Sequence, residues 1–305
     1  MQTIMPNIKT ILVTGSNGQL GQSLNSLATQ HPQYQFTFID CVELDLSNMN
    51  SITTYFKQNQ FDLIINCAAY TAVDKAEQEQ EQANSINHLA VKQLAKIAKQ
   101  NDSLLIHIST DYVFDGTGYK PYLESDQTNP QSVYGASKLK GEQAIQKIAP
   151  KAIIIRTSWV YSEYGANFVK TMLRLGQEQE SLNVIVDQVG TPTYAKDLAA
   201  AIIKIVDACC ANQNIFTQDQ KVQLYHYSNE GVCSWYDFAK TIFEQINTPC
   251  TLSAIETKDY PTAAKRPHYS VLNKAKIKQN FNLSIPYWKD ALQVCLKKYQ
   301  ETKIQ

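Results

Sequence analysis

The chain has 305 residues, 44% of them hydrophobic, which is enough to enclose the core of one large α/β domain or of two lobes. Lysine plus arginine and aspartate plus glutamate balance at 28 each, so no net field recommends nucleic acid or an anionic membrane as a partner. No apolar run reaches the roughly 18 residues that span a bilayer, and the start MQTIMPNIKTILVTG lacks the order of a secretion signal, so a cytoplasmic protein is expected. Seven cysteines form an odd set without CxxC spacing and the five histidines are scattered, which predicts reduced, buried thiols and no metal site.

Taken in chain order, short apolar runs alternate with amphipathic stretches. Strands are expected at 10–13, 36–39, 63–66, 104–109 and 152–156, and helices near 19–30, 47–59, 78–100 and 132–148. This rhythm predicts a Rossmann-type doubly wound parallel sheet covered by helices on both faces. The first strand runs directly into Gly15-Ser16-Asn17-Gly18-Gln19-Leu20-Gly21, which then opens a helix. Glycines there let backbone amides and a helix N-terminus approach a pyrophosphate, so Gly15, Gly18, Gln19, Leu20 and Gly21 are candidate cofactor contacts.

Asp40 closes the second strand nineteen residues after Gly21, where a carboxylate suits the hydroxyls of an adenosine ribose and disfavours a 2′-phosphate. Asp45 and Leu46 are candidates to frame the adenine, with Ser47 alternatively capping a helix. Asn66-Cys67-Ala68-Ala69 ends a strand in small side chains, suited either to a flat ring or ribose or to tight packing. The polar run EQEQEQANSIN belongs to a helix with a solvated face, because apolar spacing continues through Ile86, Leu89, Leu94, Ile97 and Ala98.

Ser109 and Thr110 close the fourth strand, and Tyr134 and Lys138 stand four residues apart in the next helix. Residues at i and i+4 share a helix face, so the phenol and the ammonium can reach one pocket. Tyrosine normally titrates near 10, and moving it toward 7 requires roughly 4 kcal/mol from Lys138 and a nicotinamide cation. Gly135 and Gly141 in the same helix each cost about 1 kcal/mol against alanine, which predicts a close approach by cofactor or by a neighbouring helix. Beyond about residue 156 the rhythm loosens: a helix from about Asn167, a strand at 182–186, the loop DQVGTPTY, a helix at 195–208 and a less regular tail. The expected division is a dinucleotide-binding domain of 1–155 and 194–226, with a smaller, discontinuous α/β substrate-binding lobe of 156–193 and 227–305.

The glycine pattern, NCAA, STDYVFDG and YGASKLKGE occur in the order found in the extended short-chain dehydrogenase/reductase superfamily, which the chain resembles. NCAAYTAVDKAE (66–77), ISTDYVFDGTG (108–118), RTSWVYSEYGANFVKTML (156–173), DQVGTPT (187–193) and RPxxSxL (266–272) are similar to the dTDP-4-dehydrorhamnose reductase family. That resemblance implies reduction of the C4 ketone of dTDP-4-dehydro-β-L-rhamnose by NADPH or NADH. It implies Tyr134 as proton donor, Lys138 on the nicotinamide ribose and Thr110 on the reacting oxygen, with Ser109 as the rival hydroxyl. It further implies Ala69, Tyr70 and Thr71 beside the cofactor and Asp111 and Trp159 on the sugar. Trp159 also reads as a core aromatic, Asn167 as a plain helix cap or a diphosphate contact, and Arg266 as a phosphate ligand or a surface ion pair. Some relatives dimerise through a carboxylate-bound magnesium; Lys196 replaces one such carboxylate here, so a monomer or homodimer without essential metal is expected. Competing readings are a non-catalytic NADP(H)-binding regulatory subunit, an epimerase and another 4-ketoreductase; a dehydratase is disfavoured because Asp111 is followed by Tyr112 and not by glutamate.

Overall fold

The structure, a computed structural model, describes residues 8–211, 215–217 and 219–304, so residues 1–7, 212–214 and 218 of the expected dinucleotide domain lie outside the described residues. Its elements in chain order are β1 (Thr10–Thr14), α1 (Gln19–Ala28), β2 (Gln35–Ile39), α2 (Met49–Gln58), β3 (Leu63–Asn66), α3 (Val73–Ala76), α4 (Gln80–Asn84), α5 (Val91–Gln100), β4 (Leu104–Thr110) and α6 (Val133–Ile148). There follow β5 (Ala152–Thr157), β6 (Val160–Tyr161), α7 (Phe168–Glu178), β7 (Ser181–Ile185), β8 (Val189–Gly190), β9 (Thr193–Tyr194) and α8 (Ala195–Cys210). The last are β10 (Val222–His226), β11 (Cys233–Ser234), α9 (Trp235–Ile246), β12 (Thr251–Ile255), α10 (Ala275–Phe281) and α11 (Trp288–Ile304).

Six strands make one parallel sheet in the order β10-β5-β4-β3-β1-β2. Side chains alternate between its faces as the pleat requires. Ile11, Val13, Ile65, Ile106 and Ile155 pack with apolar residues of α1 and α8 on one side, while Leu12, Ile64, Leu105 and Ile154 pack with those of α2, α5 and α6 on the other. From β1 the chain moves outward to β2 and then returns to β3 on the opposite side of β1, which opens a crevice beyond their carboxyl ends.

The helix expected over 78–100 is interrupted by a wide π turn at Ser85–Ala90. Buried Asn87 in that turn accepts from the Tyr70 amide at 2.9 Å and donates to the Tyr70 carbonyl and Ser137 Oγ, each at 3.0 Å. A widened turn is how a helix turns such a residue inward without breaking its flanks. Asn48, and not Ser47, caps α2, its side chain accepting from the amides of Asn50 and Ser51.

A separate core holds the later segments together: Tyr161, Val169, Leu173, Tyr194, Phe238, Ile242, Trp288, Leu292 and Cys295 are buried against one another. Here β7 and β12 pair in parallel, and α9 starts with a capping box between Ser234 and Asp237. The tail is more regular than the sequence reading expected, because α11 runs for 17 residues. Ile277, Phe281, Leu283 and Ile285 pack with the sheet's α1/α8 face instead of with this second core.

Candidate active site

The glycine-rich turn is a cradle that side chains would fill. Gly15 sits at φ +69°, where a Cβ would lie 2.8 Å from Ala68 Cα, and a Cβ on Gly21 would lie 2.3 Å from the Gly15 carbonyl. Gly18 is the N-cap of α1 and offers no side-chain cap, so the helix N-terminus keeps its amides for an anion. Thr14 Oγ1 donates to Asn66 Oδ1 at 2.7 Å, and Asn66 Nδ2 meets His107 Nδ1 at 3.1 Å, a polar row that ties the ends of β1 and β3 to β4 under this turn. Burial holds His107 well below the usual histidine range, so the ring is neutral and serves as acceptor.

A cleft of about 800 Å³ follows the carboxyl ends of the strands. Gly15, Gly18, Gln19, Leu20, Asp40, Asp45, Leu46, Ala69 and Thr71 line its cofactor end, and Thr110, Asp111, Tyr134, Lys138 and Trp159 line the other. Asp40 accepts from the amides of Asn17 and Cys41 at 2.8 and 2.7 Å; although burial opposes it, these bonds hold the carboxyl below its ordinary value. Asp45 binds the Ser47 amide and hydroxyl at 2.8 and 2.7 Å. Two candidates are used differently. Tyr70 does not line the cleft: its hydroxyl donates to Glu79 at 2.5 Å and its backbone is held by Asn87. Gln19, besides lining the cleft, donates to the Val160 carbonyl at 3.2 Å and accepts from Ser162 and Asn167 at 3.0 and 2.9 Å.

Thr110 and Tyr134 are brought together at one end of the cleft, where the threonine side chain acts on the phenol. Thr110 also donates to Asp111 Oδ1 at 3.0 Å. Ser109, on the alternate face of the strand, instead donates to buried Glu142, which accepts Arg156 in a bidentate pair at 2.7 and 2.9 Å. Ser132 caps the Tyr134 helix, and the two costly glycines are accounted for by protein neighbours: a Cβ on Gly135 would lie 2.2 Å from the Tyr112 carbonyl and one on Gly141 2.3 Å from that of Asn87.

The electrostatics differ from the expectation of a depressed Tyr134. Burial pushes its hydroxyl up to about 12, the Thr110 side chain opposing and the Asp111 charge adding. Lys138 has no part in this balance, and its Nζ donates to the Ile108 carbonyl at 2.7 Å. Burial brings Lys138 down to about 8, against the pull of Glu142. Asp111, 2% exposed, is pushed up to about 6 by burial, which the Ser270 and Thr110 side chains oppose, and its Oδ2 makes no hydrogen bond of ordinary geometry among the described residues. A buried acceptor with spare capacity facing a cleft is suited to a ligand hydroxyl.

Trp159 adopts a left-handed backbone, φ +48°, and stacks on Trp235 with ring centroids 3.6 Å apart. Trp235, which the sequence reading did not single out, also lines the cleft. Asn167 does not: it caps α7 through the Lys170 amide while its amide group donates to Gln19, Ser162 and Tyr164, consistent with the cap alternative. Arg266 is also outside the cleft lining, forked onto Asp74 at 2.6 and 3.1 Å.

Residues 9–301 match the family model for the RmlD substrate binding domain. The chain belongs to that family. It is 42% identical over 289 residues to a dTDP-4-dehydrorhamnose reductase of Aggregatibacter actinomycetemcomitans, covering 92% of this chain and 96% of the relative. To the Escherichia coli K12 protein of that description it is 41% identical, covering 91% of this chain and 94% of the relative. The crystal structure of the Bacillus anthracis dTDP-4-dehydrorhamnose reductase in complex with NADP matches with a TM-score of 0.88 at 36% identity, over 95% of this chain and 99% of that one. The glycine cradle of this chain has the shape that a dinucleotide requires, and the Bacillus anthracis relative carries NADP. The sites missed by sequence reasoning were Glu142, Arg156 and Trp235. Glu142 was within reach, since it stands four residues after Lys138 on the same face; Trp235 had no local signal.

Proposed function

We propose that this protein reduces the C4 ketone of dTDP-4-dehydro-β-L-rhamnose to dTDP-β-L-rhamnose, using NADPH or NADH, in the cytoplasm and as a monomer or homodimer. The observation that carries this reading is the meeting of Thr110, Tyr134 and Lys138 in one cleft with the glycine cradle. Gly15, Gly18, Gln19 and Leu20 would hold the pyrophosphate, Asp40, Asp45 and Leu46 the adenosine, and Lys138 the nicotinamide ribose. When bound, the reduced nicotinamide supplies a hydride. Tyr134 keeps its proton at neutral pH and transfers it from Oη to the C4 oxygen as charge develops there. Thr110 donates a hydrogen bond to the same oxygen, and the Lys138 ammonium, one helical turn away, offsets the phenolate left behind. Asp111 accepts a sugar hydroxyl, and Trp159 packs beside the sugar. Residues 1–155 and 194–226 would bind the dinucleotide and 156–193 and 227–305 present the sugar nucleotide, with 275–285 fastening that second segment to the sheet.

No helix among the described residues is long and apolar enough to cross a membrane. The test is to supply purified protein with the ketosugar nucleotide and follow loss of nicotinamide absorbance, then identify the product by NMR. Tyr134→Phe should retain NADPH affinity and lose roughly 10²–10⁴ in kcat. Absence of turnover by the unaltered protein sinks the reading, and full activity in the variant removes Tyr134 from its role.

A further inference from the structure

At the back wall of the cleft, which Ser109 helps to line, three nearly inaccessible polar residues meet: Ser109 is 3% exposed, Glu142 1% and Arg156 3%. Ser109 and Arg156 are direct cross-strand partners of β4 and β5, and both bind Glu142, which reaches down from α6. Glu142 lies one turn beyond Lys138 and two turns beyond Tyr134, while Ser109 immediately precedes Thr110. The guanidinium also lies over the Phe114 ring, 5.0 Å from its centroid. A buried ion pair is a poor source of stability, since well-packed apolar residues often serve as well, so its presence here needs another reason. Its geometry gives one, because the node joins the strand end that carries Thr110 to the helix that carries Tyr134 and Lys138.

We propose that Ser109, whose hydroxyl is turned to Glu142, forms with Glu142 and Arg156 a positioning node that sets the approach of Thr110 to Tyr134 and keeps the Lys138 ammonium charged, acting on the chemical step through those residues. This rests on the reading of Tyr134 and Lys138 as the proton-delivering pair. The groups facing Lys138 are Tyr134 and Glu142 from α6, Cys67 from the end of β3 and His107 with the Ile108 carbonyl from β4, and Arg156 of β5 is paired to Glu142. Of these, Glu142 favours the charged ammonium against a burial that already brings it down to about 8, whereas the Cys67 thiol, pushed up to about 12 by burial, stays neutral there.

The two duties of the node separate in two variants. Ser109→Ala leaves the ion pair in place, so kcat should fall about 10- to 100-fold from misplacement of Thr110 while its alkaline limb stays put. Glu142→Gln removes the negative charge, so Lys138 should lose its proton at lower pH and the alkaline limb of kcat should move down by about one pH unit or more. Because that variant leaves Arg156 buried and unpaired, Glu142→Leu/Arg156→Met is made beside it; it should fold and bind NADPH yet show the same displaced limb and a lowered kcat. The Lys138 ¹³Cε resonance, titrated in all three and in the unaltered protein, reads the ammonium without any substrate. A displaced Lys138 titration in the Glu142 variants supports the node even if the ketosugar proves to be the wrong substrate. An unmoved titration in a folded Glu142→Leu/Arg156→Met protein overturns it, as does full kcat in Ser109→Ala.

Discussion

The two walls of the cleft are built by different means. On the sheet wall, Gly15, Thr110, Tyr134 and Lys138 are fixed by backbone: a strand end, the turn that follows it, and helix-face spacing. On the lobe wall, Trp159 is held by side-chain packing against Trp235, a residue 76 positions away. The sheet wall carries the groups suited to chemistry, where a displacement of about 1 Å costs roughly 10²-fold. The lobe wall carries the groups suited to recognition, where adjustable packing is tolerated. Substitutions on the first wall should therefore act on kcat and those on the second on KM.

Thr110→Val is the strongest remaining test of that division. Loss of one hydrogen bond to a developing oxyanion should lower kcat by about 10²–10³ with KM little changed, measured by steady-state kinetics. A change confined to KM would place Thr110 with the recognition groups. Asp111 comes next, because it stands between the two walls. Its carboxyl, ordinarily near 3.9, is pushed up to about 6, so the folded protein binds that proton more tightly than the unfolded chain does. Its stabilising contribution is thus full at pH below about 4 and is lost as pH rises through about 6. Asp111→Asn should be more stable by about 1–3 kcal/mol at pH 7, an advantage that narrows as pH falls through about 6 in urea unfolding, while KM for the nucleotide sugar rises. Equal stability at pH 7 would mean that the carboxylate already has its partners without substrate.

The same contrast governs what was legible in the sequence. The strands at 63–66 and 152–156 and the turn from Gly15 to Gly21 were readable because period and glycine placement are local signals. Ser109 and Thr110 were separable only through Glu142, a long-range partner. Gly135 and Gly141 were visible as costs, but their cause lay in the carbonyls of Tyr112 and Asn87, which only folding brings near. Trp288, Ala291, Leu292, Cys295 and Leu296 do follow helical spacing, so α11 was readable in principle; a mixed tail with charged residues between them hid it. The π turn was not readable, since it depends on Asn87 reaching Tyr70 and Ser137.

A smaller effect is expected at Trp235. Its stack helps hold Trp159 in a left-handed conformation that costs about 1–3 kcal/mol and persists only under packing constraint. Aromatic pairs contribute about 0.5–1.5 kcal/mol beyond burial, so Trp235→Ala should raise KM for the nucleotide sugar about 2- to 10-fold and leave NADPH affinity unchanged. A loss in kcat with KM intact would erase the distinction between the walls.

The smallest effect is expected where the two regions touch at their rim. Arg266 and Asp74 form a forked pair whose side chains are 23% and 44% exposed, and the Arg266 bond holds the Asp74 carboxyl below its ordinary value. Solvent-screened pairs of this kind contribute about 0–1 kcal/mol, so Arg266→Gln and Asp74→Asn should each cost no more than that in urea unfolding, and less at high salt. If the pair is only a rim contact, both variants turn over substrate alike. If Arg266 leaves Asp74 for the substrate diphosphate, the symmetry breaks: Arg266→Gln raises KM most at low salt, while Asp74→Asn, which frees the guanidinium, leaves KM unchanged or lowers it. Comparing KM in the two variants at low and high salt thus decides whether this cation belongs to the architecture or to recognition.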